Sequence, residues 1–406
     1  MLASYRRVFA KPGALAFSAT ALVARLPISM MTLGIILLVS SVSGSYALAG
    51  QVSAAYIIGN AVFAVPHGRL ADRFGQGLVL YVDSAVFALS SILMIVSITQ
   101  EWALVWPHVW GALAGASLPQ IGAMVRGRWV HILTSHSERH TAFAAESVAD
   151  EVVFVTGPAL VTFLATSWAP AAGLGLAVAV GTVGALALAV QRRTEPPAHP
   201  HDTAKVRSPM PWVTIVPLTI GAVALGSLFG ALEVATVAFA DDAGRKAISG
   251  LMLGAFALGS LLAGVVAGVV TWQRGPLRRA QIGMGLLAVG TVFLPFLAGL
   301  AVVTVALFLT GLTLAPTLIA LFSLIESTVP RSRLNEAMGF VQTGISGGIA
   351  PGAWLAGVVA DEHGGSAAFW TVTVSAVLAA LSGFLIRDSG QAEENALDDA
   401  AHANEG

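Results

Sequence analysis

The sequence predicts an all-α membrane protein: twelve transmembrane helices arranged as two pseudo-symmetric six-helix bundles. Three observations lead there: composition, the placement of basic residues and an internal repeat. Of 406 residues, 56% are hydrophobic and 11% charged, with a mean hydropathy of +0.80. An ordinary soluble domain carries about 25% charged residues. A helix that crosses a hydrocarbon core of about 30 Å needs roughly 20 mainly apolar residues. Runs of that kind fall at 14–40, 47–66, 77–98, 102–125, 142–166 and 170–190. Six more follow at 212–240, 248–272, 279–298, 300–326, 335–360 and 366–386.

The connections between runs set the orientation. With the N-terminus in the cytoplasm and each run crossing once, 18 of the 21 basic residues face the cytoplasm. The outer loops hold only Arg245 and Lys246, and Arg25 lies inside a span. This is the positive-inside bias, and it places both termini in the cytoplasm. The first run is too long for the core of a cleavable signal peptide.

Between the sixth and seventh runs, RRTEPPAHPHDTAKVRSPMPW is polar, Pro-rich and carries four basic residues, as expected of a flexible linker. The domains are then residues 1–191, a linker at 192–211, residues 212–387, and an acidic tail at 388–406 expected to be disordered. A shift of 200 positions superposes Gly50, Gly59, Gly68 and Gly75 on Gly250, Gly259, Gly268 and Gly275. Glycines at this spacing let helices approach closely, and a six-plus-six repeat suits two bundles rocking about a midplane site.

Several function classes drop out. No cysteine is present, which excludes disulfides and thiolate metal sites. No G-x-x-x-x-G-K-[ST] occurs, so ATP is not the expected energy source. His131, His136 and His140 cluster with Glu138 without firm metal-site geometry and read as a solvated loop. No nucleophile–base pair is found. An enzyme, a cofactor, a metal and a nucleic-acid partner are all unexpected.

The loop HGRLADRFGQG, residues 67–77, joins the second and third runs. Gly68, Asp72, Arg73 and Gly75 form a G-x-x-x-D-R-x-G core, and Gly68 and Gly75 permit close packing and a tight turn. With the twelve runs and the central linker, this core resembles the major facilitator superfamily over residues 10–387. The resemblance implies a gating loop that locks the cytoplasmic side of the outward-facing state against helix 11. Where the family continues with basic residues, Gln76 and Gly77 stand here. The lock is therefore weaker, or borrows Arg126 and Arg128 from helix 4. The second-half counterpart, GVVTWQRGPLRR, keeps Gly268 and Gly275 but has Trp272 at the place of Asp72. Asp83, six residues into helix 3, is assigned to the Asp72 network.

Gly157 and Pro158 match the Gly-Pro pair of the family's drug–proton antiporters, although Val153, Val161 and Thr162 replace further glycines of that pattern. Pro351 is the repeat equivalent of Pro158, and both prolines permit a helix kink. The arginine often found early in helix 4 of such antiporters is absent, and His108 is the nearest polar group.

Charges inside spans are the main functional candidates. AAESVADEVVFVTGP, residues 144–158, sets Glu146, Asp150 and Glu151 within six residues of helix 5. Three central acids would cost roughly 7–10 kcal/mol on the insertion scale, so this stretch must face protein or water. At about 1.5 Å per residue from Ala142, Glu146 lies about 6 Å deep, with Asp150 and Glu151 about 12–14 Å deep. Arg25 on helix 1 lies at a matching depth. It is expected to pair with Asp150 or Glu151, leaving the other acid free to titrate. The competing reading is a permanent ion-pair knot in which Arg126 and Arg128 reach Glu146. Glu233, in helix 7, is expected to contact substrate, serve as a second proton site or open the outer vestibule. Gln120, Trp110, Gln342 and Thr343 are weaker cavity candidates, and Glu326 and Glu336 are expected to pair with Arg331 and Arg333.

These readings predict a secondary transporter in a bacterial plasma membrane, working as a monomer by alternating access. The expected activity is proton-coupled export of a small organic compound, drug-like or a secondary metabolite. The alternatives are a metabolite symporter or uniporter on the same fold, or a non-transporting sensor or scaffold.

Overall fold

Fifteen α-helices account for the described chain. The structure is a computed structural model that describes residues 2–198, 210–269, 274–329 and 334–386. A short helix, α1 (Leu2–Phe9), precedes α2 (Ala14–Ser43), α3 (Tyr46–Phe74) and α4 (Gln76–Thr99). Then come α5 (Val105–Ala116), α6 (Ile121–Ile132), α7 (His136–Ser167) and α8 (Ala172–Ala189). After the central segment follow α9 (Trp212–Asp242), α10 (Ser249–Val269), α11 (Pro276–Val292) and α12 (Leu300–Gly311). The last are α13 (Leu314–Thr328), α14 (Leu334–His363) and α15 (Gly365–Leu385).

Eleven stretches among the described residues are long and apolar enough to cross a membrane, so the chain is a multi-span, all-α membrane protein. The run at 102–125 is the exception to the twelve expected. It forms two twelve-residue helices, α5 and α6, separated by Ser117–Gln120. Each is about 18 Å long, too short to cross alone. Pro119 explains the break, because proline supplies no backbone donor and disfavours helix at the residue before it. The run at 300–326 is likewise divided between α12 and α13, although the stretch Leu300–Ile325 still qualifies as one span. His131 and His136 lie in helices rather than a loop, and no metal-holding cluster occurs among the described residues.

Turn chemistry fixes the first corners. Gly44 ends α2 with φ +70, and Ser45 caps α3 by accepting from the Leu48 amide. Gly75, at φ +89, makes the single-residue turn between α3 and α4, a conformation that side chains resist.

The glycine repeat has a physical counterpart. A Cβ on Gly59 would land on the Ala112 carbonyl of α5, and one on Gly259 would land on the Phe308 carbonyl of α12. A Cβ on Gly50 would meet the Ala353 carbonyl of α14, and one on Gly250 the Pro158 carbonyl of α7. The first pair packs each repeat internally. The second joins the first half to the second through α3–α14 and α7–α10. Most of the apolar core is one continuous cluster through both halves. A smaller cluster of Val8, Phe17, Ala21, Trp129, Ala142 and neighbours closes the bundle where α2 begins. That end is called the near end below, and the end where α2 stops is the far end.

Candidate functional site

Arg25 lies near the middle of α2 and is fully buried. Its guanidinium stands 2.6 Å from Glu146, an ionic contact whose angles fall outside those of a hydrogen bond, and donates to Asp150 at 3.1 Å. Glu146 also accepts from Ser18 Oγ and from Trp129 Nε1, each at 2.8 Å. Arg126 donates to the second Asp150 oxygen at 2.9 Å. The result is a chain of alternating charge, Glu146–Arg25–Asp150–Arg126, running from a sealed interior to a half-exposed guanidinium. A buried ion survives only when paired and hydrogen-bonded, and here both wholly buried members are.

Three expectations change. Glu146 is not a rim residue but the fully buried anchor of Arg25. Depth along α7 missed this because α1 and Trp129 roof that end: Trp129 packs edge-on against Phe17 at 4.6 Å and Phe9 at 5.7 Å. Arg126 joins this charge chain through Asp150 and does not reach Glu146. Arg128 reaches neither acid. It is fully buried and donates to Gln76, Thr194 and the carbonyls of Leu188 and Gln191. The expected Arg25–Asp150 pair is present. Glu151 is partly exposed, with no hydrogen bond or ion pair among the described residues.

Ser29 donates to the Val153 carbonyl at 2.9 Å and ties α2 to α7. A turn later Gly157 packs against Ser29 so closely that a Cβ would strike its hydroxyl. Both α7 and α14 continue through Pro158 and Pro351. Glu233, in α9, accepts from Thr32 of α2 at 3.2 Å, which joins the two halves at mid-helix.

Residues 67–74, expected as part of a loop, form the last turns of α3, and only Gly75 lies between α3 and α4. Gly68 has open space around its backbone, and Arg73 is exposed, stacked over Phe74 at 5.1 Å. The Asp72 side chain lies outside the described residues, as do those of Glu326, Arg331, Arg333 and Glu336. Asp83 is buried beside His67, with Oδ2 and Nδ1 3.4 Å apart. Trp110 stacks on Trp106, Gln120 donates to the Leu118 carbonyl, and Gln342 and Thr343 are exposed.

Sequence reading missed a polar latch at the far end. Asp361 of α14 accepts from Ser45 Oγ at 2.8 Å and from the amides of Tyr46 and Ala47 at 2.7 and 2.8 Å. It thus caps the N-terminus of α3 from the opposite half, where a helix favours an anion. Tyr46 Oη donates to Asp241 at 2.6 Å, and Lys246 donates to Ser40 and Asp241 at 2.9 and 3.2 Å. Lys246 was visible as one of two outer basic residues, but its partners were not.

Comparison with known proteins agrees with this architecture. The Major Facilitator Superfamily profile matches residues 15–303 and 218–403. A triacylglyceride transporter of Mycobacteroides abscessus is 28% identical over 176 residues, 43% of this chain. That match spans only 31% of the relative's length. Among solved structures, the nucleoside transporter NupG superposes with a TM-score of 0.72 at 13% identity, covering 92% of this chain and 98% of that one. A bacterial homologue of the iron transporter ferroportin, in its inward-facing state, gives 0.68 at 15% identity with coverages of 92% and 98%. The inward-open xylose transporter XylE from E. coli gives 0.68 at 14%, with 92% and 96%. Such identities establish the fold alone. Because the profile extends over both halves and the glycine-packed helices follow the same architecture, the chain belongs to the Major Facilitator Superfamily of membrane transporters.

Proposed function

We propose that this protein is a proton-coupled secondary transporter that exports a small, largely apolar organic compound by alternating access. In this reading α5 and α6 together make the twelfth crossing, giving six spans on each side of residues 192–211. Both termini lie in the cytoplasm of a bacterial cell, and the chain works as a monomer. The near end is then cytoplasmic, and the far-end latch of Asp361, Tyr46, Asp241 and Lys246 holds an inward-facing shape.

One observation carries the proton coupling. The cations at this level, Arg25 and Arg126, are engaged by Glu146 and Asp150, while Glu151 on the next position has no such partner among the described residues. A carboxylate so placed can take up and release a proton without breaking an ion pair. Glu233, held only by a neutral hydroxyl, is suited to a second proton or a cationic substrate group.

The experiment is a substrate screen in proteoliposomes with an imposed pH gradient, beginning with the lipophilic cation tetraphenylphosphonium. Gradient-driven flux supports the reading; gradient-independent flux of a nutrient overturns it in favour of a uniporter. The similarity to a triacylglyceride transporter favours a second reading, a lipid-like cargo. Gradient-driven movement of a fluorescent triacylglycerol between vesicles, with no flux of the cation, would select that one.

A further inference from the structure

The gating loop lacks the basic residues its family pattern carries after Gly75, and the structure brings a basic residue to that place from elsewhere in the chain. Arg192, just after α8, lies across Gly77 so closely that a Cβ there would strike its guanidinium. The same group sits 5.8 Å from the centre of the Tyr81 ring and pairs with Glu195 at 3.2 Å. Glu195 in turn accepts from the Gly77 amide at 2.8 Å and so caps α4.

Beneath this contact the segment is fastened to the first half. Arg128, with no exposed surface, donates to Gln76 Oε1 at 3.0 Å, to Thr194 Oγ1 at 3.0 Å and to the Gln191 carbonyl at 2.9 Å. Gln76 Nε2 donates to the Met124 carbonyl at 3.0 Å. Thr194 is buried, with its methyl where a Cβ on Gly13 would fall. Residues 192–194 form a 3-10 turn. The opening of the segment expected to be a flexible linker is therefore a docked strap. A guanidinium buried with four acceptors is a committed arrangement, because removing its partners leaves a desolvated charge.

We infer that Arg192 and Glu195 are positioning residues of the gating loop: the strap supplies the basic group that Gln76 and Gly77 omit. Glycine at 77 is then a requirement of the docking rather than a loss from the motif. Loop and strap move together, so the connection to the second half acts directly on the gate. The inference rests on reading residues 68–77 as a gate.

The chain has no cysteine, so introduced cysteines are unique labelling sites in the full-length protein. A nitroxide on Ala198→Cys in lipid nanodiscs reports docking, and nitroxides on Arg69→Cys and Arg278→Cys report the separation of the halves at the near end. The Ala198 label should be ordered in the parent and mobile in Glu195→Ala and Arg128→Gln. Glu195→Ala alone suffices if the buried arginine variant fails to fold. Arg192→Gly should shift the distance distribution towards the open near end, as should Gly77→Arg, whose side chain displaces Arg192. The double variant, Gly77→Arg with Arg192→Gly, should restore the parent distribution, because the loop now carries its own arginine. A mobile Ala198 label in the parent overturns the inference. So does a double variant no closer to the parent than either single one. Asp72→Asn separates the two ideas: if it leaves both docking and distance unchanged, the gate reading itself has failed and the positioning role falls with it. If it shifts the distance while Arg192→Gly does not, the gate stands and the strap's role is refuted.

Discussion

The two halves share a glycine scaffold but differ in what they bury. Gly59 and Gly259 seat their helices on a carbonyl of α5 and α12 in the same manner. Yet the first half encloses Arg25, Glu146 and Arg128 at no measurable exposure, whereas no charged side chain described in the second half is fully buried, and Glu233 is partly exposed on a single hydroxyl. The comparison separates two kinds of residue. Glycines pack both halves in the same way, whereas the fully buried charges among the described residues lie in the first half alone.

The largest test of this contrast is Arg25→Ala, which strands Glu146 in the interior. Breaking one partner of a buried pair costs about 3–5 kcal/mol, while Glu233→Ala removes one hydrogen bond, about 0.5–1.5 kcal/mol. Thermal unfolding in detergent should therefore drop far more for the first variant. Equal losses would erase the distinction between the halves.

Next come the features they share. Gly59→Ala and Gly259→Ala should each destabilise by about 1–3 kcal/mol through overpacking against backbone, and by similar amounts. Gly285→Ala, where a Cβ meets nothing within 4 Å, should be neutral or stabilising by up to about 1 kcal/mol. A tolerant Gly259 beside an intolerant Gly59 would show that the repeat is only sequence-deep.

The smallest effect concerns the join between the halves. Asp361→Ala removes a cap contributed across the interface, about 1 kcal/mol or roughly a fivefold change in population. Labelling of a cysteine introduced at Val42, partly buried near the latch but not part of it, should rise accordingly. Unchanged labelling would mean that the latch does not hold the far end.

Much of this was legible in the chain. Long apolar runs located the helices because lipid imposes length and composition. Two of the four repeated glycine pairs, Gly50/Gly250 and Gly59/Gly259, marked close crossings because carbonyl contact tolerates no Cβ, whereas Gly68 and Gly275 face open space. Matching depth offered Arg25 either Asp150 or Glu151; the structure has Asp150, and adds Glu146, which depth had set at the rim. Residues whose surroundings come from distant segments were not legible. Glu146 is sealed by α1, too short to register as an apolar run, and by Trp129 on α6, a separate short helix that the break at Pro119 could have announced. Asp361 caps a helix 315 positions away, and no local pattern records such a partner. Arg192 read as a solvated linker charge because its contact is with a glycine, which carries no side chain to signal it.

The central claim is that the first half moves a proton on the carboxylate its arginines leave free. The direct measurement is transport by Glu151→Gln in proteoliposomes, comparing accumulation driven by a pH gradient with exchange of labelled for unlabelled substrate at equilibrium. The account predicts that gradient-driven accumulation is lost while exchange persists, because rocking continues without a proton to couple. Full gradient-driven accumulation in Glu151→Gln would contradict it.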